Sequence, residues 1–210
     1  MPRERGRARS TPPFPVPFGR IRPVSPGQSR GLEYPTWVYY PAHSRPPGWV
    51  DDLMSAVAGA RSQIDTATVR GLTSDAVLRA LAPGLKACGY QVEVGKRAGE
   101  RVERPVLFGT NGHERVRYDV DAMHDQLGVV VEVEAGRGAR GNAVYRDLIR
   151  ASLIVDARYL ALGVMAEYRH MSSGREVSVA SFAEARAILD AVYASGRLRL
   201  PFDGVLLFGY

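Results

Sequence analysis

YDVDAMHDQLGVVVEVE, residues 118–134, joins an acidic segment to an unbroken run of valines through a short polar bend. Because side chains alternate across a strand, Glu132 and Glu134 share one face with Val130, while the other valines fill the opposite face. A strand that is apolar on both faces is typical of the centre of an α/β sheet. We therefore predict a central strand that becomes acidic on one face only, at its carboxyl end.

The polar bend predicts a β-hairpin that brings an aspartate to these glutamates. A four-residue loop at 125–128 places Asp121 opposite Glu132, on the same side of the sheet. Gly128 suits the positive φ that such loops often need near their end. A two-residue turn would place Asp119 opposite Glu132 instead, but the bend lacks the Asn-Gly or Asp-Gly pair that such turns use. The preferred register gives three pairs: His124 with Val129, Asp121 with Glu132 and Asp119 with Glu134.

The grouping of these acids indicates a working site. Unpaired carboxylates are costly to bury, and clustered carboxylates usually need a cation or a raised pKa. We predict Asp121, Glu132 and Glu134 as ligands of a divalent metal ion, with Asp119 as a reserve ligand. The alternative is a solvated hairpin end with scattered acids.

The charge of the chain is unevenly distributed along its 210 residues. Residues 1–31 carry seven arginines against one glutamate, and the remaining basic and acidic residues balance. We predict that 1–31 is a disordered Arg/Pro-rich tail, because its composition cannot bury a core. Residues 32–50 are rich in aromatic residues and proline, and they predict an extended arm packed on the domain; stacking on nucleic-acid bases is the alternative.

Residues 51–210 are predicted to form one α/β domain with a mixed central sheet flanked by helices. Helices are expected from 51 to about 64, after a cap at residues 73–75, from 142 to about 156 and from 181 to 193. Strands are expected at 91–94, 105–108, 159–165 and 205–208, in addition to the acidic hairpin.

Cysteine and hydropathy patterns bound the cellular setting. Cys88 is the only cysteine, which excludes an internal disulfide and a cysteine-based zinc cluster. No apolar run approaches the roughly 20 residues that span a bilayer. A cytoplasmic protein without membrane association is therefore expected.

A glycine-rich loop follows the acidic strand. Residues 136–141, GRGARG, match the GxGxxG spacing of dinucleotide-binding turns. The preceding glutamates would repel a pyrophosphate, and too few strands follow to build the second half of a dinucleotide fold. Nucleotide-dependent oxidoreduction is therefore the least favoured function. We predict instead that the loop carries Arg137 and Arg140 towards phosphates.

The helix expected after this loop contains further candidate residues. Arg146 and Arg150 lie four residues apart and share one face, which is consistent both with a solvated face and with contacts to a DNA backbone. Tyr145 and Asp147 are candidates for orienting the acidic site, although ordinary helix packing is the preferred interpretation for Tyr145.

Asp121, the Glu132-x-Glu134 strand and the following segment 145–148, YRDL, together resemble the PD-(D/E)xK nuclease superfamily. The similarity extends over about residues 73–165. It implies a restriction-endonuclease-like fold and Mg²⁺-dependent hydrolysis of DNA phosphodiester bonds, with Mn²⁺ as an alternative metal, in restriction, defence or DNA processing. The resemblance implies Asp121 and Glu132 as the metal ligands, with the Val133 carbonyl as a further oxygen, and we predict that Glu134 joins them in the catalytic site. DNA is the implied partner, and a homodimer is left open.

The sequence departs from the family pattern at Glu134, where the family usually has a lysine. A carboxylate cannot directly stabilise the negative charge that develops in the transition state, but it can bind a second cation or accept a proton from water. Arg137 or Arg140 is a candidate for the missing positive charge. The alternative function is a non-catalytic module that binds nucleic acid or protein on the same scaffold.

Overall fold

The computed structural model describes residues 34–136 and 142–210, which contain ten strands and five α-helices. The strands are β1 (Thr36–Tyr40), β2 (Gln91–Val92), β3 (Val102–Phe108), β4 (Glu114–Val120), β5 (Ala122–His124), β6 (Val129–Glu134), β7 (Tyr159–Val164), β8 (Tyr168–Ser172), β9 (Arg175–Val179) and β10 (Gly204–Gly209). The helices are α1 (Trp49–Gly59), α2 (Arg61–Ile64), α3 (Ser74–Ala87), α4 (Ala143–Ser152) and α5 (Ser181–Ser195). The predicted tail at 1–31 lies outside the described residues, as do Arg137 and Arg140.

A six-stranded mixed sheet forms the centre, in the order β1-β10-β7-β6-β5-β2. β10, β7 and β6 run parallel, whereas β1, β5 and β2 are antiparallel to their neighbours. Every residue of β10 is buried, and so is every residue of β6 before Glu134. Parallel strands buried on both faces are a property of α/β proteins, and the predicted α/β class with a mixed central sheet flanked by helices is confirmed.

Helices cover both faces of this sheet and create two cores. Val129, Val131 and Val133 pack with apolar residues of α1, α2 and α3. Val130, on the same side as the glutamates, packs with residues of α4 and α5. Because side chains alternate along β6, its glutamates lie on the face of the sheet that α4 covers. Across residues 34–136 and 142–210, no helix has the length and hydropathy to cross a membrane.

The register of the acidic hairpin agrees with the prediction. His124 pairs with Val129, and the Gly128 amide donates to the His124 carbonyl at 2.8 Å. Gly128 has a φ of +66°, and a Cβ there would lie 2.6 Å from the Asp156 carbonyl oxygen. Only glycine combines that backbone conformation with so close an approach.

One part of the hairpin prediction is wrong. The strand that precedes the polar turn is interrupted at Asp121. A bend at Asp121 separates β5 from β4, and β4 pairs with β3 in a separate two-stranded sheet. Asp119 consequently lies opposite Glu103 instead of Glu134. Val120, next to the bend, is buried in the second core together with Val130 of β6.

The predicted cap of α3 is confirmed, whereas other elements differ from expectation. The Thr73 hydroxyl caps α3 by accepting from the Ala76 amide at 3.2 Å. Residues 36–40, within the segment predicted as an arm, form β1 as an edge strand on β10. The hairpin of β8 and β9 lies outside the predicted elements, and its residues are mostly exposed. Its turn at residues 173 and 174 uses two positive φ angles, as two-residue hairpin turns do.

Candidate active site

Five carboxylates gather at the carboxyl end of β6, and we call them the acidic cluster: Glu93, Asp121, Glu132, Glu134 and Asp147. Glu93 follows β2, and its amide donates to the Asp121 carbonyl at 2.8 Å. Ala122 pairs with Val131 in the hairpin. Asp121 precedes Ala122 and Glu132 follows Val131, so Asp121 lies beside Glu132. Asp147 projects from α4 and is 1% exposed. Three separate segments therefore meet at the acidic end of the central strand.

Glu132 is the most deeply placed acid of β6, with 7% of its surface exposed. Its carboxylate makes no hydrogen bond or ion pair with any residue in 34–136 or 142–210. Burial raises the pKa of Glu132 well above its ordinary value, and the charges of Asp121 and Asp147 raise it further. A buried carboxylate in this setting requires either a proton or positive charge close by.

Asp121 is held by the backbone of β6. Its Oδ2 accepts a hydrogen bond from the Val133 amide at 2.7 Å. Burial raises the pKa of Asp121 to about 6; the Val133 hydrogen bond opposes this change, and the charge of Glu93 adds to it. The predicted approach of Asp121 to the glutamate strand is therefore present, and the bend after β4 permits it.

Glu134 forms an ion pair with Arg146 of α4. The same guanidinium donates through Nε to Asp147 Oδ1 at 3.0 Å, so it lies between two carboxylates. The pKa of Glu134 is raised to about 7, chiefly by burial and next by the charge of Asp147, and the charge of Arg146 opposes this rise. The Tyr210 hydroxyl donates to the Glu134 carbonyl at 2.7 Å and fixes the backbone at this point.

Glu93 and Lys96 belong to the candidate site, although no motif in the sequence predicts them there. Lys96 forms an ion pair with Glu93, and its Nζ lies 3.9 Å from Asp75 Oδ1. The negative charge of Asp121 also contributes to raising the pKa of Lys96, after the larger effect of the Glu93 hydrogen bond. The signal in the sequence was the alternation of β2: if Val92 faces the core, Glu93 points to the other side.

The remaining predicted site residues have other environments. Arg150 Nη2 donates to the Asp119 carbonyl at 2.8 Å, and its guanidinium lies 5.6 Å from the centre of the Tyr118 ring. Asp119 is not in the cluster, because its carboxylate pairs with Arg101 at 3.1 Å. Tyr145 is 45% exposed, and its part in orienting the acids stays a prediction. The buried face of α4 contains Asp147 instead.

The donor chemistry of the cluster fits a hard divalent cation, because every candidate ligand is a carboxylate oxygen. As the side chains stand, no group of three or more His, Cys, Asp or Glu residues in the described ranges is arranged around one ion position. Asp121 is turned to the Val133 amide and Glu134 to Arg146. Asp121 and Glu132 are the two carboxylates best placed to bind one metal ion together. Glu134 can join them only if its ion pair with Arg146 breaks.

Comparison of the chain with protein-family models, curated proteins and solved structures finds no match. The resemblance to a nuclease family therefore rests on the residues of the acidic cluster and their order in the chain.

Proposed function

We propose that this protein is a divalent-metal-dependent endonuclease that hydrolyses DNA phosphodiester bonds on a restriction-endonuclease-like α/β fold. The observation that carries the proposal is the buried Glu132 carboxylate, which has no partner among the described residues and lies beside Asp121. Keeping an unpaired carboxyl group buried at the end of a central strand costs stability, and a binding site for a cation accounts for that cost.

Asp121 and Glu132 would hold Mg²⁺ or Mn²⁺, with Glu134 as a third ligand or a base. The bound ion supplies positive charge that polarises the scissile phosphate and makes water more acidic. Both functions compensate for the absence of a lysine at position 134. Carboxylates alone cannot stabilise a phosphorane, whereas a cation held by them can.

Glu134 is suited to accept the proton of the attacking water. Its pKa of about 7 lies near neutral pH, where a general base combines adequate ionisation with adequate basicity. Because the ionised form is the active base, we expect the rate to rise with pH through this value. Arg146 holds the carboxylate in place, and Asp147 fixes the orientation of the guanidinium.

DNA is the proposed partner because basic side chains border the acids. Arg146 and Arg150 lie on α4 beside the cluster, with half of the Arg146 side chain exposed. Arg137 and Arg140, in the segment between β6 and α4, are further candidates for contacts with phosphates. Such contacts provide affinity that is independent of base sequence.

The proposal is tested by cleavage of supercoiled plasmid DNA in Mg²⁺ and in Mn²⁺, with EDTA as the metal-free control. Glu132→Gln keeps the shape of the side chain and removes the ligand charge. Loss of several kcal/mol of metal-supplied stabilisation corresponds to a decrease of roughly 100-fold or more. Glu176→Gln, at an exposed position on β9, should retain wild-type activity. Cleavage that survives Glu132→Gln would reject this site.

A second function is favoured by one contact. The ion pair between Glu134 and Arg146 already neutralises part of the cluster, as expected for a scaffold that binds nucleic acid or protein without cleaving it. This binding module is supported if the wild-type protein cleaves no nucleic acid but retains DNA in a mobility-shift assay at low salt.

A further inference from the structure

The chain contains 28 basic residues other than histidine, and only Lys86 and Lys96 among them are lysines. Lys96 lies at the acidic cluster, on a segment between β2 and β3. We propose that Lys96 is a catalytic residue that donates a hydrogen bond to the scissile phosphate, with Glu93 as the residue that positions it. This assignment rests on the proposed nuclease function.

The burial of the two partners supports these roles. The Glu93 side chain is 5% exposed, whereas the Lys96 side chain is 63% exposed. A buried carboxylate therefore anchors an ammonium group that remains open to a ligand. The Glu93 amide is also bonded to the Asp121 carbonyl at 2.8 Å, so the anchor has a fixed position relative to a proposed metal ligand.

The arginines of α4 are less suited to this contact. Arg146 is bracketed by Glu134 and Asp147, and its guanidinium is engaged by both. Arg150 donates to a backbone carbonyl of β4 and lies over the ring of Tyr118. Lys96 has three ammonium donors, and one described carboxylate, Glu93, lies within hydrogen-bond distance. Donors are therefore left for a phosphoryl oxygen.

In the proposed reaction, Lys96 acts as a hydrogen-bond donor to the phosphate. The hydrogen bond to Glu93 raises the pKa of Lys96, so the ammonium stays protonated and does not act as a base. Water attacks phosphorus, its proton passes to Glu134, the phosphorus–oxygen bond to the leaving sugar breaks, and the leaving oxygen takes a proton from solvent. Lys96 stabilises the charge on a non-bridging oxygen and neither gains nor loses a proton.

The test compares Lys96→Gln, Lys96→Arg and Glu93→Gln under single-turnover conditions with saturating plasmid DNA. Lys86→Gln is the matched control, because Lys86 is exposed on the last turn of α3. We expect Lys96→Gln to reduce the cleavage rate about 100-fold or more, within the range for a lost charge-stabilising donor. Lys96→Arg should recover part of the rate because it keeps the charge. Glu93→Gln should give an intermediate loss, and none of the variants should shift the rise of rate with pH that Glu134 sets.

An activity-independent readout uses the small number of lysines. Reductive ¹³C-methylation labels Lys86, Lys96 and the terminal amine, and a short DNA duplex in Ca²⁺ should shift the Lys96 signal and leave the Lys86 signal in place. A wild-type rate in Lys96→Gln, together with a loss in Glu132→Gln, overturns the assignment and leaves the nuclease proposal standing. A wild-type protein that cleaves no nucleic acid overturns both.

Discussion

Replacing Glu134 with glutamine should flatten the dependence of stability on pH. In the folded protein, burial and Asp147 raise the pKa of Glu134 from 4.5 to about 7. A carboxyl group with a raised folded-state pKa binds its proton more tightly in the folded chain than in the unfolded chain. Its stabilising contribution is therefore complete below the unfolded pKa and is lost as the pH rises through the folded pKa.

The size of the effect follows from the shift. A change from 4.5 to about 7 corresponds to at most about 3 kcal/mol, because one pKa unit is worth about 1.4 kcal/mol. Two-state linkage places most of this loss between about pH 5 and pH 8. Solvent reaches the Glu134 carboxylate at the edge of the cluster and screens its charge, which reduces the expected loss to about 1–2 kcal/mol.

Urea unfolding in EDTA at several pH values measures this loss directly. The wild-type protein should lose about 1–2 kcal/mol more than Glu134→Gln between about pH 5 and pH 8. Glu176→Gln should follow the wild type, because that carboxylate is exposed on β9. Added Mg²⁺ should restore stability at the high pH, by about 2.7 kcal/mol when its concentration is about 100 times Kd. Parallel curves for wild type and Glu134→Gln would refute the electrostatic account of the cluster.

Two further variants test contacts of the same strand. Arg146→Gln removes the charge that lowers the pKa of Glu134, so the rise of cleavage rate with pH should move to higher pH, and an unchanged profile would show that Glu134 is not the base. Tyr210→Phe removes the 2.7 Å hydrogen bond to the Glu134 carbonyl and should cost about 1–2 kcal/mol in urea unfolding; a variant as stable as the wild type would contradict a structural role for that bond.

The sequence predicts the centre of the fold well because local physics dominates there. Val129–Val131 are apolar on both faces, and Gly128 allows the left-handed turn that sets the pairing of His124 with Val129. Thr73 identifies the start of α3 for a similar local reason, because its hydroxyl caps the first turn. Periodicity and turn chemistry are sufficient wherever the neighbouring residue in space is also near in sequence.

Residues brought together by tertiary contacts were harder to predict. The bend at Asp121 depends on the pairing of β4 with β3, which alternation in a single strand does not reveal. Glu93 reaches the cluster because β2 pairs with β5, about 30 residues away in the chain. Lys96 follows Glu93 into the site. The burial of Asp147 depends on how α4 is rotated against β6. The sequence predicts that Asp147 lies near the acids, but not that it is one of the buried carboxylates of the cluster.

The central claim is that Asp121 and Glu132 hold a catalytic divalent cation, and an anomalous difference map from crystals grown with Mn²⁺ tests it most directly. We predict a peak about 2.0–2.6 Å from a carboxylate oxygen of each residue, absent in Glu132→Gln crystals. A wild-type map without a peak at these carboxylates, with the ion pair between Glu134 and Arg146 intact, would contradict the claim.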